Sequence, residues 1–191
     1  GDSLTTGAQN IALGRSALSA AIGAGDNVAI GYAAMSANTT GNANVAIGTQ
    51  ALNGANNSGT ATYNIGIGYQ AGLVTSTGTK NIIIGGDAGD ILTTGNYNIA
   101  IGHNSLSTED TGSRNVAVGF EALRDLNFDG NGYNTAVGWQ AGLELTQGVE
   151  NTFIGGFAGQ KTTTAINNTA LGYLSLNKNV IGDNNTALGF K

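Results

Sequence analysis

The sequence predicts an all-β chain, a parallel β-solenoid or β-roll of eleven coils of roughly 17 residues each. Three observations carry that prediction. A pentad of the form Asn–x–x–aliphatic–Gly recurs along almost the whole chain. Its spacing is near constant, and self-similarity at a fixed short period is the signature of a stacked repeat. The composition is rich in glycine, with 32 in 191 residues, yet it has no proline and ample Ile, Val and Leu. Glycine at that level without a collagen period fits turn-rich β structure, and the aliphatics supply the apolar surface a disordered chain lacks.

The coils start at Asn10, Asn27, Asn44, Asn64, Asn81, Asn98, Asn115, Asn134, Asn151, Asn168 and Asn185, so residues 10–191 form the repeat domain and 1–9 a lead-in. Eight of the ten spacings are 17; the other two are 20 and 19, insertions of three and two residues. Within a coil, Asn27-Val28-Ala29-Ile30-Gly31 reads as a short strand of β-branched residues. Positions two and four share one face and position three takes the other, because strand side chains alternate. Position four is always aliphatic and position eight always small. The glycine at position five suits a corner that needs positive φ or close backbone approach. Thr-Gly pairs such as Thr77-Gly78 suit a second turn. Seventeen residues leave room for two short strands and two turns. The stacked asparagines offer either a side-chain amide ladder or bonds to the local turn.

A longer rhythm overlies the repeat. Position nine runs Leu52, Gly72, Gly89, Leu106, Leu123, Gly142, Gly159, Leu176, and Tyr69-Gln70-Ala71-Gly72-Leu73 returns 70 residues later as Trp139-Gln140-Ala141-Gly142-Leu143. Duplication of a four-coil block explains it.

Composition narrows the function. The seven basic residues are scattered and the net charge is −5, which argues against nucleic-acid binding, since that needs clustered cations. No run approaches the apolar length of a membrane span, so no membrane insertion by this segment is expected. Without cysteine the fold does not rest on disulfides. Residue 1 is Gly rather than Met, and the chain reads as a processed product or a piece of something longer.

The pentad with its small eighth residue, Asn27-Val28-Ala29-Ile30-Gly31 and Ala34, resembles the head repeats of YadA-like trimeric autotransporter adhesins. Tyr133 to Gly138 is similar to the Tyr-Asn-Thr-Ala-Val-Gly repeats of phage and prophage tail fibres. The resemblance covers residues 10 to 191. It implies a homotrimer, extracellular, on a cell surface or virion, projecting to contact a host receptor that is a glycan or a protein. The adhesin head repeat is shorter, which leaves the coil shape open. The second position is Ile or Val in seven coils and Thr in the last four, and this apolar surface is expected to pack against neighbouring chains.

Candidate chemistry is sparse, and no enzyme is expected. Gly1-Asp2-Ser3-Leu4 spells the opening of the GDSL hydrolases, but the only histidine, His103, lies inside a repeat and no base can be assigned to Ser3. His103 shares position six with Tyr32, Tyr69, Phe120, Trp139, Tyr173 and Phe190. These rings form either a packed file beside the glycine corner or an exposed strip that contacts a receptor, and periodic placement is what packing alone gives. Tyr32, Tyr69, Phe120, Trp139 and Tyr173 are the candidate receptor contacts. Asp125-Leu126-Asn127-Phe128-Asp129-Gly130 matches the front half of a Ca²⁺ loop, but Ala136 stands where the bidentate Glu belongs, so no cofactor is expected beyond a weak Ca²⁺ possibility at Asp125–Asp129. Two alternatives accompany the fibre reading. The rank Thr135, Thr152, Thr169, Thr186 suggests an ice-binding solenoid, and the Ile-Gly-x-x-Ala pattern suggests a left-handed β-helix acyltransferase.

Overall fold

The structure, a computed structural model, describes residues 5–54 and 61–191. Its strands are β1 (Ile11–Leu13), β2 (Val28–Ile30), β3 (Val45–Ile47), β4 (Ile65–Ile67), β5 (Ile82–Ile84), β6 (Ile99–Ile101), β7 (Val116–Val118), β8 (Thr135–Val137), β9 (Thr152–Ile154), β10 (Thr169–Leu171) and β11 (Thr186–Leu188). They form one parallel sheet in chain order, each strand in register with the next, so Val28 lies over Ile11 and Val45 over Val28. Ten complete coils and the start of an eleventh make a β-solenoid. Thr5, Thr6 and Gly7 already donate to the Ile22 carbonyl, as the closing turn of a coil does, so the stacked path begins before Asn10.

One expectation is corrected. Among the described residues each coil holds a single three-residue strand, not two. The remainder is a run of turns, with left-handed residues at positions seven, nine and seventeen in every complete coil, as at Ala33, Met35 and Ala43. These bend the chain while its N–H groups bond to the adjoining rungs: Met35 donates to Ala51 and Ala33 to Arg15. A left-handed non-glycine residue is disfavoured on its own. Here the inter-rung bonds hold it, because an unpaired buried amide costs more.

Two internal files fix the register. The asparagines at position one are buried from Asn27 to Asn168. The Asn27 Oδ1 accepts from the backbone N–H of Asn44 at 2.9 Å and from its Nδ2 at 3.2 Å, while Asn27 Nδ2 donates to the Gly41 carbonyl at 2.9 Å. Both readings of the asparagines therefore hold at once. The glycines at position five form the second file. Gly31 sits at φ +133°, and a Cβ there would lie 2.5 Å from the carbonyl oxygen of Gly48.

The core is thin. Ala at positions three and eight lines it, and Leu18, Met35, Leu106 and Leu123 at position nine fill it. Where position three is large, position nine is glycine: a Cβ on Gly72 would lie 2.9 Å from Ile83 Cδ1, and one on Gly142 2.9 Å from Phe153 Cδ2. The duplicated block thus copies a packing solution, one large side chain replacing two leucines. Position twelve also points inward, as Ala21, Leu92, Leu126 and Leu145.

Candidate functional site: the outer sheet face and its two borders

Strand alternation turns position three inward and positions two and four outward. The outward columns carry Ile11, Val28, Val45, Ile65, Ile82, Ile99 and Val116, then four threonines, beside eleven aliphatics from Leu13 to Leu188. The result is an apolar ribbon along the sheet, half-buried to exposed throughout. Thr135, Thr152, Thr169 and Thr186 follow one another in register at its C-terminal end.

Position six forms one border of that ribbon. Tyr32, Tyr69, Trp139 and Tyr173 are about half exposed. His103, Phe120 and Trp139 stack face to face, with centroids 5.7 and 4.2 Å apart and ring planes within 15° of parallel. Tyr173 stacks with Phe190 at 5.6 Å and makes a T-shaped contact with Phe157 at 5.8 Å. Arg15 lies over Tyr32. From His103 to Trp139, and again at Tyr173 and Phe190, the rings pack on one another, and none of the position-six rings belongs to the buried core. His103 Nε2 lies 3.9 Å from Asp87 Oδ2.

Position seventeen forms the other border, which the sequence did not reveal. Tyr63, Lys80, Tyr97, Arg114 and Tyr133 occupy successive rungs. The Lys80 Nζ is 5.0 Å from the Tyr97 ring, and the Arg114 guanidinium sits between Tyr97 and Tyr133 at 5.4 and 5.7 Å. The repeat register was the available signal, but the three-residue insertion before Tyr63 and the mixed chemistry of the file obscured it.

The Asp125–Asp129 loop is engaged internally. Both oxygens of Asp125 accept from Arg124, at 2.7 and 3.0 Å, and Thr111 donates to Asp129. Among the described residues no three His, Cys, Asp or Glu side chains gather into a metal-ligating group. Ser3 lies outside the described residues.

Among the described residues the one fully buried acid is Glu109, at position twelve. Its carboxylate accepts from the N–H of Gly112 at 2.7 Å and of Phe128 at 3.3 Å. Loss of water around it pushes its pKa above the ordinary carboxylate value; those two N–H donors oppose the shift, and the Asp110 charge adds to it.

No protein-family model, no curated protein and no solved structure matches this chain. No helix among the described residues is long and apolar enough to cross a membrane.

Proposed function

We propose that this chain is a segment of an extracellular homotrimeric fibre, a trimeric surface adhesin or phage-type tail fibre, that spaces and attaches to a host cell surface. The apolar ribbon carries the reading. With eleven strands about 4.8 Å apart and three residues wide, the strand face alone covers about 500 Å². That is near the top of what a soluble monomer leaves exposed. Ribbons from three copies meeting on one axis bury this face and bring the total toward the size of a stable interface. A threefold arrangement is also what the resemblance to adhesin head repeats implies. Sedimentation of the chain at micromolar concentration is expected to give three times the chain mass, and Ile99→Lys, at the middle of the ribbon, to dissociate it. A stable monomer overturns the proposal.

The fibre needs no cofactor in this reading. Equal melting temperatures in calcium and in chelator are expected, and a calcium-dependent rise would restore the Asp125–Asp129 loop as a site.

A second reading rests on one observation. The threonines of β8 to β11 follow one another in register, and a regular hydroxyl rank is the feature expected of an ice-binding face. It spans four of eleven rungs, and the other seven carry Ile or Val in that column, so the fibre reading is preferred. Thermal hysteresis in the cold-stage assay would reverse that preference.

A further inference from the structure

Every rung of the apolar ribbon has two ends. Position seventeen precedes the strand, and positions six and seven follow it. From β4 to β8 the chemistry of the two ends alternates together. Across β4, β6 and β8 both ends carry an exposed ring: Tyr63 and Tyr69, Tyr97 and His103, Tyr133 and Trp139. On the rungs between, a cation at position seventeen is matched by an acid at position seven. Lys80 and Asp87 end the β5 rung, and Arg114 and Glu121 the β7 rung.

Within one chain these matched groups do not meet, because the strand and its corner hold them about 15–20 Å apart. The cations are also short of counter-charge. Lys80 Nζ donates to the Tyr97 hydroxyl at 3.1 Å, and Arg114 donates to Asn131. Among the described residues neither has a carboxylate within ion-pair reach. Asp87 is 32 % exposed, and its one ion-pair neighbour is His103, at 3.9 Å. Glu121 is better satisfied, accepting from Gln140 at 2.7 Å and lying 3.5 Å from Arg124. Lys80 and Asp87 are therefore the pair with most to gain.

We propose that the two borders are the two halves of one contact between parallel copies of this chain, rung on rung, with Lys80 of one copy paired to Asp87 of the next; this rests on the trimer reading above. Copies related by rotation about one axis set a patch on each against a different patch on its neighbour, at equal height along the axis. With the ribbons facing the axis and the solenoids running along it, those patches are the two borders. Rings then meet rings, and cations meet acids, on five successive rungs. Glu150, at β9, meets only Gly156 and Phe157 and takes no part. An antiparallel pair forfeits the match, since a two-fold axis across the rods sets each border against itself, reversed. Turned about β6, the sixth of eleven strands, Lys80 would face Arg114 and Asp87 would face Glu121. Like charges so placed repel. The order of charges along the borders thus selects a parallel copy as the occupant.

The chain has no cysteine, so introduced thiols are the only ones present. Tyr97→Cys combined with His103→Cys, treated with a bis-maleimide too short to span the strand, should give a covalent trimer on a denaturing gel. Each single variant should give none. Cross-linking of His103→Cys alone is the mark of the antiparallel pair and overturns the proposal. Exchange of the charges tests the ion pair. Lys80→Asp and Asp87→Lys should each weaken association about tenfold at low salt, and together restore it to within about threefold. Each copies a residue its position already carries, Asp26 at seventeen and Lys191 at seven, which preserves folding. Losses that add in the double variant overturn the pairing. Sedimentation of the same samples reads the trimer itself. A trimer with neither cross-link nor rescue sinks the pairing alone, whereas a stable monomer sinks both.

Discussion

At the scale of single residues, the structure separates glycines that the fold needs from glycines that it does not. Gly31 combines a φ only glycine adopts freely with a carbonyl where its Cβ would stand. Gly31→Ala should therefore lower stability by about 3 kcal/mol or more, the sum of backbone strain and a displaced rung. Gly86→Ala has neither problem and should be neutral or stabilising by about 0.4–1 kcal/mol, through the unfolded chain. Equilibrium denaturation of the two variants side by side checks the distinction. Glu109 gives a pH signature. Its carboxyl titrates higher in the folded than in the unfolded chain. As pH rises past the ordinary carboxylate value, the unfolded state loses its proton first and stability falls. The fall ends once pH passes the raised folded value. Asp90, also raised chiefly by burial, adds to the same slope. Glu109→Gln should flatten it and stabilise the protein near neutrality by about 1–3 kcal/mol. Asn38, whose amide both accepts from and donates to Gly41 at the same coil position, shows that an amide is accommodated there. A steeper slope in the glutamine variant would contradict this account.

At the scale of the coil, strand and corner were legible and the rest was not. Asn27 to Gly31 advertises itself because each position has one job: a ladder amide, an outward aliphatic, an inward alanine, an outward aliphatic, a crowded glycine. The left-handed positions carry no such mark. Ser16, Leu18 and Ala33 take φ values that sequence reasoning reserves for Gly, Asn or Asp, because bonds to neighbouring rungs dictate them and local preference does not. Position twelve was equally hidden. It holds Ala21, Asn38, Thr75, Leu92 and Glu109 in turn, and only the coil's closure shows that all of them face inward. The rings at position six were legible as a column, but which of them stack on one another was not, since that depends on ring orientations that only the stacked coils set. The asparagine ladder supplies a test at this scale. Asn98→Ala removes the acceptor for the Asn115 N–H and the donor to the Gly112 carbonyl, leaving both buried. A loss of about 2–3 kcal/mol is expected by thermal or chemical denaturation. Asn98→Asp should be no milder, since it keeps the acceptor but places a charge in a buried file.

The whole molecule is organised along one direction. All the inter-strand hydrogen bonds between coils run along the length of the stack, so each coil is held only by the ones on either side of it. Stability therefore accumulates coil by coil, and damage to a central one divides the stack into two shorter pieces. The outer face is equally one-dimensional, a ribbon two side chains wide, and its change from aliphatic to threonine after β7 divides it into two chemically distinct lengths.

That alignment sets the response to tension. When a single chain is pulled by its ends, the load lies parallel to the hydrogen bonds and strips them rung by rung, as a zipper opens, instead of shearing a whole sheet at once. Each rupture frees one 17-residue coil, about 55–60 Å of extended chain. Optical-tweezer traces should show a staircase of small, nearly equal steps, and a single all-or-none rip would exclude this mode of yielding. A tether built this way lengthens gradually under drag and rewinds from whichever rungs remain.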